Sequence, residues 1–262
     1  MHGEGILTAG IATPAVAHSL AEQFANDGFA GPFPLGSPGQ MSVVALILSR
    51  SIFTRPGPLA NDPFVNRHLD SPMVAQLCTH PAIIAQVEPL LGPDLVVWRS
   101  LFFFKGPGSK EVSWHQDSHF WNLDPPITIT AWLAIDRAQS EDHCMEVIPG
   151  SHKTALPHVP SAPGSQFPQT AEVGESDMSR AIELPVDAGM FVLFDQRLAH
   201  RSRPGGQNRR LALSVRIAPS CVKIDPSLLP DDGRVLPMRV NSFSNIAAGA
   251  GQFTSAGKRP SE

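Results

Sequence analysis

The sequence predicts a mainly β protein with flanking helices, its strands arranged as an antiparallel sandwich or barrel. Three observations point there. Strand-like runs follow one another from residue 94 onward with no helical segment between them. The 26 prolines and 21 glycines break the chain into short pieces, and capped helical patterns are confined to the first third. At 262 residues and 42% hydrophobic, the chain is long enough to bury a substantial core.

The stretch "ATPAVAHSLAEQFANDGF" places Val16, Leu20 and Phe24 near a 3.6-residue period, with Thr13 as N-cap, Pro14 in the first helical position and Gly28 as the stop. "SPGQMSVVALILSRSIF" repeats the logic: Ser37 caps, Pro38 follows, and Gln40 completes a capping box. Shorter helices are expected at 71–78 and 81–91, the second ending at Gly92-Pro93. "DLVVWRSLFFFKGPG" then reads as a buried strand that stops at a turn cluster. Further strands are expected at 127–136, 144–150, 181–195 (two pieces split near Asp187 to Gly189) and 209–219. The polar, proline-rich stretch 153–180 is a connection that a compact domain keeps either as a lid or as a disordered segment. The small, polar tail from about 243 reads as loose. The organisation expected is a single domain over 1–262, with a helical part at about 13–92 and a β core at about 93–240.

A formal net charge of -4 without clustered basic residues argues against nucleic acid as a partner. There is no long apolar run and no basic region ahead of the apolar N-terminal stretch, so neither a membrane span nor a signal peptide is expected. Cys78, Cys144 and Cys221 are odd in number and match no CxxC spacing, which suits reduced thiols in the cytoplasm. The expected partner is a small molecule, and the chain is expected to act as a monomer or homodimer.

Of the ten histidines, His115 stands out because Asp117 follows it in "WHQDSHFW". Residues i and i+2 on a strand share a face, so imidazole and carboxylate can reach one metal ion. A facial triad of two histidines and one carboxylate needs a second histidine on a neighbouring strand and leaves iron positions open. "FDQRLAHRSRPGGQNRRLALSVRI" supplies His200, and about ten residues later Arg209 and Arg210 open another strand. Arginine's planar fork suits the far carboxylate of an iron-bound 2-oxo acid. By contrast, His18, His68 and His80 read as ordinary helical or surface histidines, and Trp98 as a core anchor. "GSH" at 150–152 lacks the strand-to-helix elbow of a serine nucleophile.

The ordered set "WHQDSHFW", "AWLAIDRAQSEDHCMEVIPGSH" and "LAHRS…RRLALSVRI" resembles the phytanoyl-CoA dioxygenase family of non-haem Fe(II)- and 2-oxoglutarate-dependent oxygenases, over roughly residues 13–240. The resemblance implies a double-stranded β-helix (jelly-roll, cupin-like) core. It implies His115, Asp117 and His200 as iron ligands and Arg210 as the 2-oxoglutarate anchor, with Arg209 as fallback because the preceding loop is about one residue short. Trp132 and Ser202 match positions lining the 2-oxoglutarate pocket, and Leu101 is counted with them. Phe103, Gln116, His119 and Trp121 are candidates for the substrate side, although His119 fits an ordinary loop histidine equally well. "EDHC" departs from the family's more usual "ENGC" turn and is expected to alter only a loop.

Aliphatic halogenases of this family carry glycine or alanine where Asp117 stands, so the aspartate implies hydroxyl transfer instead. Iron(II), one carboxylate and doubly charged 2-oxoglutarate leave a single negative charge, which one arginine neutralises. The expected activity consumes O2 and 2-oxoglutarate, releases succinate and CO2, and hydroxylates a small metabolite of specialised metabolism. The same ligands serve desaturation, cyclisation or demethylation. A non-catalytic, metal-binding cupin-like protein is the alternative from another class.

Overall fold

The computed structural model describes residues 19–238. Helix α1 (Leu20–Asp27) starts at Ser19, whose hydroxyl accepts from the Glu22 N–H while the Glu22 carboxylate accepts from the Ser19 N–H. This capping box places the helix start later than the expected Thr13 cap; Thr13, Pro14, Val16 and His18 lie outside the described residues, as does the tail from 243. Gly28 ends the helix in the left-handed region at φ 80°, as its position implies. Helix α2 (Pro38–Ile47) opens with the expected Ser37–Gln40 capping box. Helices α3 (Pro72–Cys78) and α4 (Pro81–Leu91) follow, with side chains of Ser71 and His80 accepting from the first-turn N–H groups of Val74 and Ala82.

The strands are β1 (Phe29–Pro34), β2 (Leu95–Lys105), β3 (Val112–His115), β4 (Leu123–Asp124), β5 (Ile129–Ala134), β6 (Met145–Val147), β7 (His158–Pro160), β8 (Gln169–Ala171), β9 (Ile182–Leu184), β10 (Met190–Asp195), β11 (His200–Ser202), β12 (Arg210–Pro219), β13 (Lys223–Ile224) and β14 (Leu236–Met238). A six-stranded sheet in the order β1-β10-β5-β12-β2-β14 and a four-stranded sheet in the order β3-β11-β6-β9 form an antiparallel jelly-roll, the expected fold class.

Alternation along β12 explains how the layers assemble. Leu211, Leu213, Val215 and Ile217 point to one face and share a core with Met41 of α2 and Ile83 and Val87 of α4. Full burial of each such side chain contributes roughly 1.5–3 kcal/mol. Arg210, Ser214 and Arg216 point to the other face and line a cavity. Trp132, Val192, Phe194 and Met145 fill the space between the sheets.

Strand β1 is not evident in the sequence, because "FAGPFP" carries a glycine and two prolines. It survives at the edge of the large sheet, where a missing N–H breaks no ladder on the outer side, and its register on β10 shifts between Ala30 and Phe33. The 153–180 stretch is ordered: β7 and β8 pair as a hairpin, the short helix α5 (Glu175–Met178) follows, and the Thr170 hydroxyl donates to the Trp114 carbonyl at 3.1 Å. His68, read as a helical or surface residue, is instead buried beside the Ser100 hydroxyl at 2.7 Å, and burial pushes its pKa down to about 4. Trp98 is fully buried and donates to the Thr128 hydroxyl. Among the described residues, no helix is long and apolar enough to cross a membrane.

Candidate metal centre

His115 ends β3 and His200 begins β11, and the two are register partners with ring centroids 4.1 Å apart. Each ring is tied back to its own chain: Nδ1 of His115 lies 2.9 Å from the Ser113 carbonyl, and Nδ1 of His200 lies 2.9 Å from the Leu198 carbonyl. A carbonyl only accepts, so each Nδ1 carries the hydrogen and each Nε2 keeps its lone pair. Burial, then the neighbouring His200, holds His115 well below the ordinary imidazole value. Burial also lowers His200, against the pull of Asp117, so both rings are neutral donors near neutral pH.

Asp117 reaches the histidines by a route that strand alternation does not describe. Strand β3 stops at His115, and Asp117 opens a 3-10 turn, Asp117–His119. What sets that turn is Gln116. Its Nε2 donates to the carbonyls of Thr154 (2.8 Å) and Arg197 (2.6 Å), while its Oε1 accepts from the Leu156 N–H (2.9 Å). The expectation of Gln116 in a substrate pocket is therefore corrected: it is a buried clasp between loops. Gln116→Leu, which keeps the volume but leaves these groups unpaired, is expected to destabilise the fold by about 2–4 kcal/mol in urea unfolding.

The Asp117 carboxylate is buried, with Oδ1 3.7 Å from His115 Nε2 and Oδ2 lacking any hydrogen-bond partner. Donor atoms of His115, Asp117 and His200 all lie within 4.8 Å of one another. A buried carboxylate with one oxygen free of hydrogen bonds and only the Arg216 guanidinium at 3.5 Å beside it, set next to two imidazole lone pairs, is a donor set that a metal cation would complete. Two neutral nitrogens and one carboxylate fit Fe(II) with coordination positions left open.

The adjoining cavity is walled by Phe103, Trp132, Phe167 and Phe194. Ser202 lines it as well. Arg210 is buried in its wall with the guanidinium 5.9 Å from the Trp132 ring centre, donating to the His143 carbonyl. Burial pushes Arg210 down to about 10, which leaves it charged at neutral pH. Arg209 lies elsewhere: both its Nε and Nη2 donate to Asp136 at 2.8 Å on the half-exposed surface. The "EDHC" turn matters beyond its loop, since His143 holds a left-handed φ of 54° and presents the carbonyl that Arg210 binds.

Several expected contacts are not brought to the cavity wall. Leu101 shares a strand face with Phe103 but does not line the cavity. His119 lies outside the cavity lining, stacked on His158 with centroids 3.9 Å apart and hydrogen-bonded to Gln169. Trp121 packs edge-on against Trp98 and lies under the Arg216 guanidinium at 5.0 Å. The Ser151 hydroxyl of "GSH" accepts from the Ala199 N–H, a structural role.

The sequence reading missed three residues that the structure places at the site. Lys105 is the register partner of Arg210, and its ammonium donates to the carbonyls of Ser202 (3.1 Å) and Arg203 (2.7 Å). Arg216 is buried 3.5 Å from the free oxygen of Asp117. Phe167 comes from the β7–β8 hairpin and packs edge-on against His115 at 4.7 Å. Alternation would have found Arg216: Arg210, Ser214 and Arg216 are the polar residues on one face of an otherwise aliphatic strand.

A jelly-roll with two histidines and an aspartate at one end of its cavity, and a buried arginine in the wall, defines the class of mononuclear non-haem iron oxygenases that use 2-oxoglutarate. The family model for phytanoyl-CoA dioxygenase (PhyH) matches residues 59–211. The chain is 31% identical over 161 residues to the peroxisomal phytanoyl-CoA dioxygenase of Homo sapiens, covering 56% of this chain and 47% of that protein. It spans about half the length of the curated relatives it matches. Among solved structures, CytC3 with Fe(II) and alpha-ketoglutarate is 27% identical with a TM-score of 0.59, covering 79% of each chain. The fold also matches the non-heme monooxygenase ThoJ in its apo form, at TM-score 0.66 and 24% identity over 79% of each chain. The chain belongs to the phytanoyl-CoA dioxygenase family of Fe(II)- and 2-oxoglutarate-dependent oxygenases.

Proposed function

We propose that this chain is a single-domain, cytoplasmic oxygenase, monomeric or homodimeric, that hydroxylates an unactivated C–H of a small metabolite and releases succinate and CO2. The observation that carries this reading is the buried His115, Asp117 and His200 cluster, with both Nε2 lone pairs and one carboxylate oxygen left without a hydrogen bond, the oxygen facing only the Arg216 guanidinium at 3.5 Å. Bound there, iron with 2-oxoglutarate and O2 supplies an oxidant able to break an aliphatic C–H bond. His115, Asp117 and His200 hold the metal, their orientation fixed by the Ser113 and Leu198 carbonyls and the Gln116 clasp. Arg210 receives the far carboxylate of 2-oxoglutarate, with Trp132 and Ser202 as pocket wall. Succinate formation under Fe(II), 2-oxoglutarate and ascorbate tests the reading; a metal-binding protein without turnover forms none. Product masses then separate hydroxylation from desaturation, cyclisation and demethylation, which share these ligands.

Lys105 gives the co-substrate step a pH dependence. Burial, then the nearby Arg210, pushes its ammonium down to about 7. A neutral amine still carries two N–H groups, enough for the Ser202 and Arg203 carbonyls, so deprotonation removes charge without breaking either bond. A doubly negative co-substrate favours the protonated form, so binding takes up a proton and weakens as pH rises. KM for 2-oxoglutarate is expected to increase by up to about tenfold per pH unit above pH 7. Lys105→Met is expected to flatten that profile at the high-pH value.

The β7–β8 hairpin acts in this reading as the cover of the cavity, with Phe167 its inward face. Phe167→Ala is expected to raise the ratio of 2-oxoglutarate consumed to product formed; an unchanged ratio removes the hairpin from that role.

A further inference from the structure

We propose that the substrate of this site is a small carboxylic acid with an apolar body, and that Arg216 binds its carboxylate. The inference rests on the oxygenase reading and follows from a charge balance that Arg210 alone would have closed. Iron(II), Asp117, 2-oxoglutarate and Arg210 sum to neutrality, but Arg216 adds a further buried cation, and Lys105 adds part of another. The nearby carboxylate of Glu146 does not compensate, because it is taken up by Arg201 and Arg203.

Arg216 is 5% exposed, yet its Nε has no hydrogen-bond partner. One terminal nitrogen donates to the Ser214 hydroxyl, and the other faces the Asp117 oxygen at 3.5 Å. With Asp117 engaged on a metal, that guanidinium loses much of its counter-charge. Across the ladder its register partner is Arg99, a second cation with one terminal nitrogen held by the Leu228 carbonyl. Like charges directly opposite on neighbouring strands repel, and a buried, half-satisfied guanidinium is costly. An anion at this end relieves both.

Geometry separates this anion from the co-substrate. Arg210 and Arg216 lie six residues apart on one face of β12, about 20 Å along the strand, so they stand at opposite ends of the cavity floor. The Trp121 ring centre lies 5.0 Å from the Arg216 guanidinium carbon, and the unpartnered Nε is the donor left for a carboxylate. Between the two ends, Phe103, Val112 and Phe167 supply apolar wall, which suits a substrate with an apolar body.

The test uses the full chain loaded anaerobically with Fe(II) and saturating 2-oxoglutarate, so that the Arg210 end is filled. Calorimetry then compares hexanoate, octanoate, phenylacetate and indole-3-acetate, each with its primary amide. At least one acid is expected to bind about tenfold or more tightly than its amide. Arg216→Gln is expected to erase that preference while 2-oxoglutarate affinity stays within about threefold. Arg99→Gln, which leaves Arg216 in place, is expected to reduce the preference by about threefold and serves if Arg216→Gln does not fold. Acids binding no better than amides, no acid binding, or a preference that survives Arg216→Gln would overturn the inference. Failure of 2-oxoglutarate to bind the metal-loaded wild type would instead overturn the oxygenase reading.

Discussion

Asp117→Ala protein is expected to emerge from dialysis without iron and to form succinate at least about 100-fold more slowly than wild type. That figure is the upper end of what loss of an outer partner to a metal ligand costs, and a ligand's loss should exceed it. Two effects act together. The substitution removes the only carboxylate of the donor set, leaving two neutral imidazoles that bind Fe(II) weakly. It also leaves Arg216 facing the metal position with no intervening negative charge, so a dication entering the site meets a buried cation. Metal content by elemental analysis and succinate by chromatography measure the two losses separately. Iron retained at one equivalent with full activity would remove Asp117 from the ligand set.

The second large effect is expected at Arg210. Arg210→Leu should raise KM for 2-oxoglutarate by about 30-fold or more, because truncating one partner of a buried, hydrogen-bonded charge pair costs about 2–5 kcal/mol. Arg210→Lys keeps the charge but not the planar fork and should recover only part of the loss. The variant also frees the His143 carbonyl, so thermal melts must accompany the kinetics. The surface alternative offers a control: Arg209→Gln breaks the Asp136 pair and should leave KM unchanged. The opposite ranking of the two arginines would reverse their assignment.

Much of this fold was legible because its signals are local. Ser37, Pro38 and Gln40 set a helix start with groups three residues apart, and β12 announces itself by unbroken alternation. Signals that depend on distant partners were not legible. Strand β1 exists only because β10, far along the chain, offers it an edge. The capping box of Ser19 and Glu22 that opens α1 is visible only in the structure, while the expected Thr13 cap lies outside the described residues. At the site, His115 and His200 were found by residue type and spacing. Asp117 was found by the right pattern for an incomplete reason, since it sits on a turn instead of a strand. The role of Gln116 is not legible because its partners Thr154, Leu156 and Arg197 are distant in sequence. Arg216 gained meaning only when Trp121, Asp117 and Arg99 converged on it.

The clasp at Gln116 has a mechanical consequence. Its amide ties the residue before Asp117 to the segment leading into β7 at Thr154 and Leu156 and to Arg197, ahead of the strand that begins with His200. The proposed cover over the cavity and the turn that would hold the metal therefore share one clasp. In the proposed reading, a displacement of the hairpin near its root would pull on the residue next to Asp117, so that access to the cavity and the grip on a metal would be set by one joint.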